Sequence, residues 1–411
     1  MIFTSLSPNT EPDDISLAVK LLFSPWQWVT GKAGERLEQA FEKWLPGYGA
    51  VAFNAGRTGL YAILSALNLQ PDDEILLQAY TCVAVPGPVL WTGAKPVYVD
   101  CTSDLTMSLE DLRRKISPRS KVLIIQHTLG IPADLENLIN LAREHHLFVI
   151  EDCAHTMGST YQGERLGTFG DAAFFSFGRD KALSSVFGGV VVSRDSELTA
   201  RLKNLAQTWG TPSSGWVVQQ LIHPLILNFS KATYSWLGKF VLAGARRLGI
   251  ISKAVYPTEK SGHRPPFGLK TMPNALAELA LHQFKKLERY NLHRQMITKI
   301  YEENLPSSLK LSGPIEKWSK TVLLRYPIRV TNSGDLILKA KQSGIELGDW
   351  YQQPIAPTGV QYEKIGFNPK DCPDAARLSQ HALNLPTHIQ VTPAQAGQVL
   401  EFIKKHAVPN N

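Results

Sequence analysis

Cysteine is scarce: there are four in 411 residues (Cys82, Cys101, Cys153, Cys372), with no CxxC pair and no Cys/His cluster. That excludes a disulfide framework and argues against a structural zinc or other metal site, and a reducing cytoplasm is the expected setting. The opening stretch "MIFTSLSPNTEPDD" has no basic segment followed by an apolar one, so no secretory leader is expected. No run reaches 18 consecutive apolar residues, which leaves no expected transmembrane span. Acidic residues are absent from one whole segment, 211–258, although the chain carries 36 of them elsewhere. Charged residues make up 19% and apolar ones 44%, ordinary values that exclude global disorder.

The length favours more than one domain. From residue 50, short apolar runs alternate with amphipathic stretches. "AVAFN" (50–54), "EILLQA" (74–79), "PVYVDC" (96–101), "KVLIIQH" (121–127) and "LFVIEDC" (147–153) read as strands; 57–69, 108–116 and 135–146 read as helices. Strands this apolar, alternating with helices, predict an α/β fold with a mainly parallel sheet covered on both faces. A long helical pattern starts near 273. A strand (321–330), a helix (335–344) and a final helix (392–406) then suggest a smaller α+β domain. The expected division is 1–285 for the large domain and 286–411 for the small one.

Parallel sheets hold ligands at the carboxyl ends of their strands, and three strand ends carry reactive groups. "NAGRTGL" (54–60) passes from a strand into a helix start, whose free N–H groups suit an anion. Gly56 permits close approach, Arg57 is a cation and Thr58 offers a hydroxyl. This turn has neither the GxGxxG of dinucleotide folds nor the GxxxxGK[ST] of triphosphate loops. "FVIEDCAH" (148–155) ends a buried strand on Glu151 and Asp152, where a carboxylate needs a cationic partner or accepts a raised pKa. "FFSFGRDKALSSVFGG" (174–189) places Lys181 on a small-residue loop between two apolar strands, where lost hydration makes an amine more nucleophilic. Read singly, each has a bland alternative: a strand–helix turn, a helix cap, a solvated surface lysine. Read together, they match the aldehyde, pyridine nitrogen and phosphate of pyridoxal 5′-phosphate (PLP).

The chain resembles the DegT/DnrJ/EryC1/StrS sugar aminotransferases, of PLP fold type I. The likeness is carried by "GAKPVYVD" (93–100), "HTLGIPADLENL" (127–138), "FVIEDCAHTMGSTYQGERLGTFGDAAFFSF" (148–177) and "LNLPTH" (383–388). The resemblance implies that Lys181 holds PLP covalently and that Asp152 pairs with the pyridine nitrogen. It places His155 near the phenolic oxygen, and Ser176 with Arg57 and Thr58 on the phosphate. It also implies a homodimer that takes an amino donor, often glutamate, and a keto-sugar acceptor. Cys82 stands where many relatives stack an aromatic ring on the cofactor, so weaker stacking or help from another ring is expected. Leu269, in "FGLKTMPNALAEL" (267–279), stands where relatives carry an asparagine that reaches the partner's site. Some relatives replace the lysine with histidine and dehydrate sugars; Lys181 favours amino transfer. A cyclitol aminotransferase, a dehydratase and a non-enzymatic regulator are the alternatives.

Segment 211–258 departs furthest from the relatives. Two apolar helical stretches are expected, near 215–229 and 233–251. In the second, Leu237, Val241, Leu248 and Ile251 share one face, and Lys239, Arg246 and Lys253 the other. It reads as extra core or dimer interface, as a helical pair lying on anionic lipid beside a lipid-linked acceptor, or as a protein-docking surface. Despite the net charge of +7, nucleic acid is not expected, because basic residues interleave with large apolar ones. Trp26, Trp28 and Thr30 are candidates for a sugar pocket, with packing as the alternative.

Overall fold

The computed structural model describes residues 1–311 and 321–409. Seven strands form the central sheet, in the spatial order Gly49–Phe53, Gly189–Ser193, Ala172–Ser176, Phe148–Asp152, Ser120–Gln126, Glu74–Gln78, Lys95–Val99. The last five run parallel, and Gly189–Ser193 is antiparallel to both its neighbours. The apolar runs are continuous because both faces are covered. Alternate residues serve two cores: Val51, Phe53, Ile124, Phe174 and Val191 face one, and Ala52, Leu123, Ile125, Phe175 and Val192 the other.

The helical pattern after 273 resolves into Asn274–Phe284 and Leu287–Asn304, with a break at Lys285 and Lys286. Beyond it, Arg325–Arg329 pairs antiparallel with Ala382–Pro386, flanked by helices Ser333–Gln342, Pro373–His381 and Pro393–His406. Tyr301, Leu323 and Leu385 join the core that contains Phe53 and Leu60, so this region packs directly on the sheet's covering layer.

Segment 211–258 folds as a helix Ser214–Ala232, a π-turn Tyr234–Gly238 and a helix Lys239–Arg247. The second helix stops earlier than its apolar period suggests. Gly249 takes a left-handed φ of 67°, and the Ile250 N–H turns back to the Ala245 carbonyl at 2.9 Å. The expected apolar face is thereby divided: Ile251 is buried, while Leu248 stands exposed with Trp236 and Phe240. Lys253 falls on the return loop rather than on the helix. Among the described residues, no helix is long and apolar enough to cross a membrane.

Candidate active site

A cavity of about 710 Å³ opens at the carboxyl ends of the strands. Gly56, Arg57, Cys82, Asp152, His155, Ser176 and Lys181 all line it. The tight turn Gly178–Lys181, closed by the Lys181 N–H on the Gly178 carbonyl at 3.0 Å, projects the lysine into it. Asn9 donates to the Lys181 and Ala182 carbonyls at 2.5 and 3.1 Å. Fully buried Arg294 donates to Asn9 Oδ1 at 2.8 Å and to the Ala182 carbonyl at 3.0 Å. Neither Asn9 nor Arg294 carries a motif, and sequence reasoning passes over both.

Burial pulls the Lys181 ammonium from 10.5 down to about 8; the Asp152 charge opposes that shift and Arg325 adds to it. Asp152 is buried, which pushes its carboxyl up from the usual range against a 2.9 Å hydrogen bond from the Ala154 N–H. Strand alternation turns its neighbour the other way. Glu151 accepts from the Gly167, Phe169 and Gly170 N–H groups and contacts His127 at 3.1 Å, so it fixes a loop outside the cavity. His155 is held well below its ordinary pKa, first by burial and then by Lys181 and Arg325. Its Nδ1 accepts the Leu129 N–H at 3.1 Å, which places the ring proton on Nε2.

Three small groups meet at the phosphate-like end. A side chain on Gly56 would sit 2.9 Å from Ser176 Cβ. One on Gly189 would sit 2.6 Å from the Phe175 carbonyl and 2.7 Å from Gly56 Cα and N. The helix start, the Ser176 strand and the returning strand therefore pack backbone to backbone. Phe175 and Phe177 point away and pack against Phe41, leaving Ser176 on the cavity side. Gly189→Ala should force these strands apart, costing about 1–3 kcal/mol. Thermal unfolding and cofactor content of the purified variant test this; unchanged values for both would refute the close packing.

Two expected phosphate contacts turn elsewhere. Thr58 is buried off the cavity, with its hydroxyl donating to Asn54 Oδ1 at 2.7 Å, because that acceptor lies one helical turn before it. Arg57 lines the cavity, but its guanidinium pairs with buried Glu259 and donates to the Ala254 carbonyl at 2.6 Å. Trp26 and Trp28 lie outside the cavity: Trp26 is exposed, and Trp28 donates to the Leu21 carbonyl at 2.7 Å. Thr30 does not line it either. The stretch containing Leu269 is pinned to its own chain, with Asn54 donating to the Gly268 carbonyl at 3.1 Å.

Trp350 and Tyr351 form a wall that sequence reasoning missed. The Trp350 ring stacks on His155 at 5.2 Å and 19°, and Lys181 Nζ lies 4.9 Å from its centroid. Trp350 and Cys82 line the same cavity, and the Arg325 guanidinium lies 3.8 Å from the Trp350 ring centroid. Another part of the cavity wall comes from the acid-free segment: His223, Leu227, Arg246 and the return loop 251–255.

Comparison with known proteins places this geometry. The family model described as "DegT/DnrJ/EryC1/StrS aminotransferase family" matches residues 9–220 and 245–404. GDP-perosamine synthase of Caulobacter vibrioides is 25% identical over 406 residues, covering 96% of this chain and 95% of that protein. GDP-perosamine synthase of Escherichia coli O157:H7 is 34% identical over 177 residues, 42% of this chain and 49% of that one. Among solved structures, Helicobacter pylori PseC, described as an aminotransferase of pseudoaminic acid biosynthesis, shares the fold at a TM-score of 0.74 and 20% identity, covering 97% of both chains. The sugar aminotransferase CalS13 from Micromonospora echinospora gives a TM-score of 0.74 at 22% identity, covering 98% of this chain and 100% of that one. The chain belongs to the DegT/DnrJ/EryC1/StrS aminotransferase family and is a PLP-dependent sugar aminotransferase.

Proposed function

We propose that the enzyme moves an amino group from an amino acid, glutamate first among donors, to a keto sugar carried by a nucleoside diphosphate. The observation that carries this is the meeting of Lys181, Asp152, Ser176 and the Gly56 helix start in one cavity. That donor set fits PLP: an amine of lowered pKa for its aldehyde, a buried carboxylate that needs a cationic partner, and a crowded glycine start where a phosphate can approach backbone amides. When bound, PLP supplies the electron sink and the nitrogen carrier.

The chain's own residues do the rest. Lys181 Nζ binds the cofactor and, once released, moves the proton to and from the donor's Cα as base and then acid. Asp152 stabilises the positive pyridine nitrogen. His155, neutral and protonated on Nε2, donates a hydrogen bond on the cavity side. Trp350, stacked on His155, and Tyr351 wall the cavity and keep water from the reacting atoms. The names of the perosamine synthases support a nucleotide-linked sugar as acceptor.

The test is a pair of half-reactions. Glutamate should move the protein's visible absorption to the near ultraviolet and release one 2-oxoglutarate per site. A nucleotide-linked keto sugar should then reverse the change. The reading falls if no amino acid shifts the spectrum, or if only free sugars or cyclitol ketones restore it.

A further inference from the structure

Residues 221–244 lie outside the family match; of the cavity wall that segment 211–258 builds, His223 and Leu227 belong to them, and Arg246 and Lys253 do not. His223 is completely buried on that wall, and among the described residues neither of its ring nitrogens has a hydrogen-bond partner. Two unmatched polar atoms at a fully buried site call for a partner that the described residues do not supply. Beside it, the Arg179 guanidinium is fixed from two sides, donating to the Ser252 carbonyl at 2.9 Å and to its hydroxyl at 3.0 Å. Ser252 is itself anchored on Gln220 Oε1 at 2.6 Å.

Arg246 and Lys253 line the same wall, and among the described residues neither has a carboxylate partner within salt-bridge distance. The segment contributes no acid of its own; the carboxylates lining the cavity are Asp152, Asp180 and Asp349, from elsewhere in the chain. Burial, reinforced by Arg179 and Arg246, holds the His223 imidazole neutral, so one nitrogen carries a proton to donate. A wall with unpaired cations and a free neutral donor suits a phosphate oxyanion.

We propose that the hairpin wall is a pyrophosphate site for the acceptor, in which Arg246 and Lys253 meet the phosphates and His223 donates to one of them. This rests on the nucleotide-sugar reading above and gives it residues. Its residues differ from Ser176 and Gly56, although the return loop adjoins that end through the Arg57 bond to the Ala254 carbonyl, and of its three residues only His223 lies outside the family match.

The experiment titrates PLP-loaded enzyme with UDP and with GDP by calorimetry at low salt. The wild type should bind at least one of them, more weakly as salt is raised. Arg246→Gln and Lys253→Gln should each weaken binding about tenfold, and the double variant about a hundredfold. Both positions are solvent-exposed, so the variants should fold. His223→Leu should also weaken binding about tenfold. Cofactor content, read from visible absorbance on the same samples, should stay at one per chain. The proposal is overturned if the wild type binds neither diphosphate, or if the arginine and lysine variants bind like wild type. It is also overturned if those variants lose PLP instead, because the wall would then serve the cofactor's own phosphate. The wild type's response to glutamate tests the underlying reading separately.

Discussion

Lys181→Ala should abolish the visible absorption that borohydride bleaches in the wild type, and lower amino transfer by at least about 10³-fold, the weight of a positioned proton carrier. The size of the effect follows from two jobs resting on one nitrogen. The amine is the covalent anchor, and it is the group that moves the Cα proton. Its burial prepares it for both. With a pKa of about 8, roughly one amine in ten is neutral at pH 7, whereas an ordinary lysine has fewer than one in about a thousand. Uptake of PLP by cofactor-free protein should therefore accelerate as pH rises through about 8, where the nucleophilic form takes over. Stopped-flow absorbance reads that profile. Amino transfer at near wild-type rate in the alanine variant would end the assignment.

Asp152→Asn should lower turnover by about 10²–10³-fold, as expected when a charge aimed at the reacting system is removed. The variant also carries a signature that general damage would lack. The Asp152 charge props up the Lys181 pKa against burial. Without it, the amine loses its proton more easily, so the pH profile for PLP uptake should move below 8. Uptake at neutral pH should be no slower while catalysis collapses. A profile that stays in place, or moves upward, would show that the two groups do not interact as the structure has them.

The strand-end motifs were legible because each is local. Gly56, Asp152, Ser176 and Lys181 sit where a parallel sheet presents its loops, and strand alternation decides which side chains face in. Arg57 and Thr58 show where that logic stops. The helix start was foreseeable, but partners two hundred residues away in one case, and four in the other, decide where the side chains point. Trp350, Tyr351, Asn9 and Arg294 reach the site through tertiary packing, and no period in the sequence announces them. Segment 211–258 misled through its regular spacing: Lys239, Arg246 and Lys253 are seven apart, but Gly249 ends the helix between the last two. That glycine was visible and is the signal that could have corrected the reading. The cavity-facing role of the segment was not visible at all, since its inner wall faces loops from distant parts of the chain.

The base of the hairpin is closed by hydrogen bonds from the Gln219 side chain to the Gly249 carbonyl at 2.7 Å and from the Ser252 hydroxyl to Gln220 Oε1 at 2.6 Å. The chain therefore leaves the common framework and rejoins it at nearly the same place. An excursion with touching ends can be gained, lost or exchanged as a unit, and neither flank has to move. Arg246 and Lys253 lie on the matched side of the rejoining point and His223 on the unmatched side, so the cavity wall they share couples the excursion to the framework.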